Sequence, residues 1–258
     1  MRLKSKNLYY ILGLVPLTAL DFLLAVKLTA GRWWLSALTA VLGVLAVAYI
    51  IRKFLWIPHS EASYGELIPL KLRLPVPYEV DLFACASMAN YDFLNRIVEV
   101  ISPIRCAGRL KVAVNPVILK EKGETFMRTA ICRELKRYED GSSLKILLGL
   151  AVPIEAAIGT VLGVLAFQVD LSRYFGSFFL NFILPFLMVI LLGVDLYLWN
   201  RFVSGEDIKL DRYLIAYFTT EEVVDYIQTI EKMQSACEGE KSRKFSDHYM
   251  EERIKRLT

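Results

Sequence analysis

The chain has 258 residues, a formal net charge of +4 and an isoelectric point of about 8.8; 55% of its residues are hydrophobic, and its mean hydropathy is +0.41. This composition is too apolar for an ordinary soluble domain of this size. The charged residues are separated from long uncharged stretches, which predicts a membrane protein with a water-soluble part rather than one large core. The sequence has no Gly-rich phosphate loop and no aromatic-basic motif, so we expect no nucleic-acid partner.

Four apolar stretches are each long enough to cross a bilayer, which takes roughly 20 residues. They cover about residues 8–26, 33–51, 146–167 and 177–199, and short turns join them in two pairs. We therefore predict an α-helical integral membrane protein with four transmembrane helices in two hairpins. No small-residue cleavage site follows the first stretch, so we interpret it as a retained anchor rather than a signal peptide.

The basic residues near the ends of these stretches predict the orientation of the chain. The side that carries most of them is marked by Arg2, Lys4, Lys6, Arg52, Lys53, Lys145, Arg201 and Lys209. The opposite side has only Lys27, Arg32 and Arg173. We therefore expect a multi-pass protein of a bacterial cytoplasmic membrane, in contact with membrane lipid and with both termini in the cytoplasm.

The two more polar segments, residues 56–143 and 201–258, are predicted to form one small α+β cytoplasmic domain. Each is short for an independent domain, and the transmembrane hairpins at 1–55 and 144–200 would return the chain to the same face of the membrane. The water-soluble domain is thus predicted to be split in sequence and joined in space.

Three elements are predicted in the first polar segment. Residues 70–74 alternate apolar and basic side chains, which is typical of a strand. Apolar residues at helical spacing from Phe93 to Ile101 predict a helix. Residues 109–114 form a second strand candidate, which Asn115-Pro116 would end.

Two further helices follow from sequence patterns. The first runs from Glu124 to Glu139 and has a helical apolar period. The second begins with a capping box, Thr219 three residues before Glu222. The predicted buried faces consist of Met127, Ile131, Leu135 and Tyr138 in the first helix and of Val223, Ile227 and Ile230 in the second. The charged tail "DHYMEERIKRL" is either a peripheral helix or a segment that only a partner orders.

The four cysteines, Cys85, Cys106, Cys132 and Cys237, all fall in the predicted cytoplasmic segments, where disulfides are uncommon. No C-x-x-C spacing occurs, so no structural zinc site is expected. We interpret them as buried, unreactive thiols.

Residues 129–139 read "AICRELKRYED". An H-E-x-x-H helix presents two imidazoles to zinc together with a glutamate base, and here the same frame reads R-E-L-K-R. Downstream, "EDIKLDRYLIAYF" is similar to an E-x-x-x-D segment that supplies a third zinc ligand. With the predicted order of spans, the chain from about Leu110 to Met233 resembles the membrane zinc metallopeptidases of the HtpX and CAAX prenyl protease type; its first hairpin matches them only in topology.

The resemblance places the two ligand histidines at Arg133 and Arg137 and the general base at Glu134. It places the third ligand at Asp207 and the aspartate that follows it at Asp211. A catalytic zinc needs about three protein ligands, and a guanidinium group has no lone pair to offer. The chain has two histidines, His59 and His248, and neither has ligand spacing. We therefore predict a pseudo-peptidase with no catalytic residue and no zinc cofactor.

The predicted function is that of an inactive metallopeptidase homologue that binds a peptide or another membrane protein, as a scaffold, a regulator or a subunit of a membrane complex. Strand addition would allow this without catalysis. One alternative is a divergent, active membrane-bound metallopeptidase with unusual ligands. A small transporter component is a third possibility. The string R-E-L-K-R alone is also typical of an ordinary surface helix.

Several residues inside the predicted spans are candidates for roles in the membrane. Asp21, Glu155 and Asp195 are ionisable, which is costly in a bilayer. They indicate either a proton or substrate path or hydrogen bonds between helices. Gly159 and Gly163 form a G-x-x-x-G pattern, which is typical of close helix packing.

The same degenerate motif predicts an ion-pair cluster. Arg133 and Arg137 are four residues apart and project from one helix face, as do Asp207 and Asp211 on the segment that would face them. Two guanidinium groups supply the charge of a dipositive ion and can bind carboxylates through forked hydrogen bonds. We predict that these four residues pair, with Glu134 as a possible fifth member. The alternative is that both arginines point to water or lipid headgroups.

Overall fold

The computed structural model describes residues 41, 66–90, 97–101, 110–143, 145–146, 184–237 and 249–257. In chain order the elements are β1 (Leu67–Pro69), β2 (Val80–Cys85), a 3-10 helix (Ala86–Asn90), β3 (Val98–Val100), β4 (Leu110–Val114), α1 (Pro116–Asp140), α2 (Leu184–Ile215) and α3 (Thr220–Cys237). Residues 249–255 are also helical and are called the C-terminal helix below.

The prediction of an integral membrane protein with four transmembrane helices is wrong. Within the described ranges, no helix is both long and apolar enough to cross a bilayer. The predicted location as a multi-pass protein of the cytoplasmic membrane is corrected on the same ground. The described part of α2 becomes rich in charged residues from Arg201 onward. Nearly all of the other three predicted spans lies outside the described residues.

The chain divides into two compact units. The first contains Leu55–Ser142 and Ser204–Thr258, together with Met1–Lys6. The second contains Asn7–Phe54 and Ser143–Val203. The first unit holds the sheet, α1, the end of α2, α3 and the C-terminal helix, so two segments that are distant in sequence share one compact body.

A mixed four-stranded sheet forms one layer of the first unit, in the order β1-β2-β4-β3. Its central strands, β2 and β4, are parallel, and both edge strands are antiparallel to their neighbours. Strand β4 is buried at four of its five residues, and this confirms the strand predicted at 109–114. Strand β4 is followed by Asn115, whose Oδ1 accepts hydrogen bonds from the backbone of Val117 and Ile118 and thereby caps α1.

Two local predictions near the sheet are wrong. The strand lies at Leu67–Pro69 and not at residues 70–74, because the chain leaves the ladder after the Leu70 N–H donates to Leu82 O at 2.8 Å. The predicted helix from Phe93 to Ile101 contains strand β3 instead. Two of the three residues in β3 are valine, which favours a strand. The hydrogen bonds to β4 stabilise the strand further, and the spacing of apolar residues gives no information about them. Strand β2 was not predicted.

Helix α1 bends at Gly123, whose φ of 83° and ψ of 176° are not helical. The segment after this break coincides with the helix predicted from Glu124 to Glu139 and ends at Gly141, which adopts the left-handed conformation with φ 64°. The predicted face is confirmed, since Met127, Ile131 and Leu135 are fully buried.

The capping box at the start of α3 is also confirmed. The Glu222 carboxylate accepts a hydrogen bond from the Thr219 backbone N–H at 2.9 Å, and the Thr219 hydroxyl accepts one from the Glu222 N–H at 3.2 Å. Val223 and Ile227 are fully buried and Ile230 packs against the same core. This core also contains residues of α1 and the end of α2, so the two sequence segments are joined by apolar contacts.

Candidate functional site

An ion-pair cluster lies between α1 and the end of α2. Arg133 donates from Nη2 to Asp207 Oδ1 at 2.6 Å and from Nε to Asp211 Oδ1 at 3.1 Å. The Asp211 side chain is fully buried and that of Arg133 is 10% exposed. Arg133 therefore sits between two carboxylates, and it points neither to water nor to lipid headgroups.

Arg137 approaches the same acceptor from one helical turn further along α1. Its Nη2 donates to Asp207 Oδ1 at 3.3 Å, and its Nη1 lies 3.6 Å from Glu134 Oε2. The structure thus brings Arg133, Arg137, Asp207 and Asp211 together, with Glu134 at the margin through Arg137. Both Arg137 and Glu134 are about one-third exposed, so this end of the cluster faces solvent.

Three further members come from segments that the sequence reasoning did not assign to the site. Arg253 in the C-terminal helix donates from Nε to Asp211 Oδ2 at 2.8 Å and from Nη2 to Asp211 Oδ1 at 3.1 Å, and its Nη1 donates to Glu231 Oε1 at 3.1 Å. Tyr249 donates its hydroxyl to Asp207 Oδ2 at 2.7 Å. The available signal was the four-residue spacing of Tyr249 and Arg253, which equals that of Asp207 and Asp211.

The charges in this cluster stabilise one another in spite of burial. Burial lowers the pKa of Arg133, but attraction to Asp207 and Asp211 outweighs burial and raises it above the ordinary value. Burial likewise raises the pKa of Asp207, yet attraction to Arg133 and Arg137 brings it below the usual range. Burial and the neighbouring carboxylate of Asp207 raise the pKa of Tyr249, so its phenol stays protonated and donates.

The donor set of this cluster does not fit the zinc ion that the resemblance would imply. Each carboxylate oxygen of Asp207 and of Asp211 already accepts at least one hydrogen bond from a guanidinium or phenol group. The positions of the two expected histidines carry Arg133 and Arg137, which have no lone pair. In the part of the chain that the structure describes, no group of three or more His, Cys, Asp or Glu could hold a metal ion. The two histidines of the chain lie outside that part.

A second polar group joins the C-terminal end of α1 to α2. Asp140 pairs with Lys136 and with Lys209 of α2, each at 3.3 Å. The Ser142 hydroxyl donates to Glu206 at 2.8 Å. These contacts lie beside the ion-pair cluster and fix the register of the two helices.

Neither of the two cysteines whose side chains are described is suited to act as a nucleophile. Cys132 precedes Arg133 but is fully buried, and burial raises its pKa to about 12, so its thiol stays protonated at neutral pH. Cys85 is also free and buried, and burial raises its pKa. Cys106 lies outside the described residues, and the side chain of Cys237 is not among those described.

The structure does not test the predicted intramembrane residues. Asp21, Glu155, Gly159 and Gly163 lie outside the described residues. Asp195 falls within α2, but its side chain is not described.

One edge of the sheet lies beside α1. The hydrogen bonds from Asn115 N to Ile97 O and from Ile101 N to Lys111 O fix the register of β3 on β4. In this register Glu99 faces Ala113 in a hydrogen-bonded pair, so the backbone N–H and C=O groups of Val98 and Val100 point away from β4. No other strand among the described residues pairs with β3 on that side.

Comparison of the chain with protein-family models, curated proteins and solved structures finds no match. These comparisons therefore lend no support to a metallopeptidase-like domain or to its membrane setting. The resemblance stays a prediction from sequence.

Proposed function

We propose that this protein is a non-catalytic binding protein that takes up an extended peptide. One observation carries the non-catalytic part: every oxygen of Asp207 and Asp211, where the resemblance puts a zinc ligand and its neighbour, accepts a hydrogen bond from within the chain. With arginine at both histidine positions, Glu134 has no metal-bound water to activate. The cluster therefore holds α1 and α2 together and takes no part in a reaction.

The contacts of Asp207 also support the proposal that this chain is an inactive homologue of the metallopeptidases that its sequence resembles. Arg133 and Arg137 both approach Asp207 Oδ1, at 2.6 and 3.3 Å. The three positions that would carry zinc ligands in the resembled family thus converge on one point. Guanidinium groups there supply the positive charge that a metal would otherwise bring to the carboxylates.

Peptide binding is proposed at β3. An edge strand with outward N–H and C=O groups binds an extended chain by adding a strand, with affinity from backbone hydrogen bonds. Val98 and Val100 present these groups, and their side chains pack against the main core, which holds the strand in place. The opposite edge strand, β1, ends in Pro69, which has no N–H to offer.

Metal analysis tests the non-catalytic part. Purified protein, equilibrated with zinc and then dialysed, should retain much less than one equivalent. Glu134→Gln should change neither its metal content nor its melting temperature. Stoichiometric zinc that is lost in Asp207→Asn would instead support the divergent peptidase.

Selection from a phage-displayed library of random peptides tests the binding edge. Peptides enriched on the wild-type protein should bind Val98→Ala about as well and Val98→Pro at least tenfold more weakly. Both variants lose the valine side chain, but only proline removes the outward N–H. Undiminished affinity of Val98→Pro for the selected peptides would refute strand addition at β3.

A further inference from the structure

A peptide that adds a strand to β3 meets the residues of β3 in a fixed order. The N–H and C=O groups of Val98 and Val100 point away from β4, and Glu99 lies between these two residues. Within the described part of the chain, the outward groups of the two valines make no hydrogen bond. A peptide that bonds to both valines therefore places one of its own residues directly opposite Glu99.

The side chains of β3 alternate between the two faces of the sheet. Val98 and Val100 pack against the main core, together with Val112 of β4. Glu99 lies on the opposite face, where the residue it pairs with, Ala113, belongs to a second apolar cluster. All three residues of β3 are half-buried. A bound peptide would extend both faces, with two side chains beside the valines and one beside the glutamate.

The glutamate gives this edge a preference for one sign of charge. Glu99 directs its hydrogen bonds to β4, so with an antiparallel peptide it forms a non-hydrogen-bonded pair, in which opposing Cα atoms are about 4.5 Å apart. Opposite charges stabilise such a pair, and like charges destabilise it. Glu99 also interacts with groups of its own chain. A carboxylate has about four acceptor positions, so a cationic donor on the peptide can be added to these interactions.

The positions on either side of this pair favour apolar residues. Peptide side chains opposite Val98 and Val100 lie on the face of the main core, beside valines that are only half-buried. Apolar side chains there remove further valine surface from water, which is favourable. The resulting pattern reads the same in both directions. It therefore holds for an antiparallel and for a parallel peptide, since neighbouring residues of paired strands share a face in both cases.

We propose that the β3 edge selects peptides with an apolar–basic–apolar triplet, in which a lysine or arginine lies opposite Glu99. This deepens the peptide-binding role proposed above and rests on it, because it names the class of peptide. A second copy of β3 is the wrong occupant. Pairing that used Val98 and Val100 of both copies would place Glu99 opposite Glu99, and two like charges would then face each other.

The test uses the full-length chain and three fluorescent peptides with the centre Thr-Val-X-Val-Thr, in which X is lysine, glutamine or glutamate. Fluorescence anisotropy should show that wild type binds the lysine peptide at least about threefold more tightly than the glutamine peptide, and the glutamate peptide most weakly. Glu99→Lys should reverse this order. Glu66→Lys is the matched control, because it reverses an exposed carboxylate next to β1, at the other edge of the sheet, and should keep the wild-type order.

Glu99→Gln decides the question if Glu99→Lys does not fold. It removes the charge with little change of shape, so it should bind the three peptides with equal affinity. Retention of the wild-type order in Glu99→Gln would overturn the proposal. So would equal affinities of the lysine and glutamate peptides for wild type.

The preference for a basic residue and strand addition itself can fail separately. Equal affinities of the three peptides for wild type, with at least tenfold weaker binding to Val98→Pro, would refute the charge preference and leave strand addition supported. Undiminished binding of all three peptides to Val98→Pro would refute strand addition. A concentration-dependent dimer of wild type that Val98→Pro dissociates would show that a second copy occupies the edge, which would also overturn the proposal.

Discussion

Arg133 on α1 donates to Asp207 on α2 at 2.6 Å, across 74 residues of chain. The bond joins the two sequence segments of the first compact unit at a point where both side chains are mostly buried. A charge pair in this setting adds strength only while every member has its partner, because an unpaired buried charge is costly. The stability of this unit should therefore depend sharply on single members of the cluster.

Asp207→Asn should lower the free energy of unfolding by about 3–5 kcal/mol, since it removes the charge that faces Arg133 and Arg137. Urea denaturation followed by circular dichroism measures this change. Glu134→Gln is the matched control, because Glu134 is partly exposed and only 3.6 Å from one arginine nitrogen. Its effect should stay within about 1 kcal/mol, as for a surface pair. Equal effects of the two substitutions would show that the cluster contributes no more than surface pairs do.

The stability of the protein should fall in acid, and Asp207 should account for part of the decline. Attraction to its arginine neighbours outweighs burial and holds the pKa of Asp207 below the ordinary value of about 3.9. A carboxyl with a lowered folded pKa stabilises the fold above its unfolded pKa, and this contribution is lost as the pH falls through the folded pKa. Melting temperatures measured from pH 6 downward should thus decline less steeply in Asp207→Asn than in wild type. Parallel profiles would argue against this assignment.

Two glycines should respond in opposite directions to replacement by alanine. Gly123 has φ 83° and ψ 176°, a conformation that is almost restricted to glycine, so Gly123→Ala should cost about 1–3 kcal/mol. Gly205 lies inside α2, and no atom lies within 4 Å of the position that an added methyl group would take, so Gly205→Ala should stabilise by about 0.5–1 kcal/mol. Gly123 has equally open space, so the cost there comes from the backbone alone. Thermal denaturation of both variants measures the difference, and a stabilised Gly123→Ala would contradict the bend in α1.

A chain that ends at Trp199 should be unstable and sensitive to protease. It lacks Leu214, Val223 and Ile227, which are fully buried in the core that α1 shares. It also leaves Arg133 without either aspartate. Limited proteolysis and a melting curve test this, with a chain ending at Leu257 as control. A truncated chain that melts like the full one would show that the first segment folds by itself.

The elements that were predicted correctly are those whose sequence pattern is contained within a few neighbouring residues. The capping box of Thr219 and Glu222 needs only its own turn, and the apolar period after Gly123 specifies the buried face of α1. Strand β3 was predicted as a helix because its apolar residues also fit a helical period. These residues form a strand because they pair with β4. Counting apolar residues, likewise, predicted transmembrane spans for which the described helices give no support.

For the candidate site, the sequence by itself determined that four charged residues come in two pairs, each spaced by one helical turn, and that arginine at positions 133 and 137 cannot bind a metal. Only the tertiary structure decided which further side chains join these four residues in the ion-pair cluster. Arg253 and Tyr249 lie 42 residues beyond the aspartates they bind, in a tail whose composition is that of an exposed helix. Asp211 is fully buried and accepts hydrogen bonds from both Arg133 and Arg253, and burial is a property of packed elements that no local pattern records.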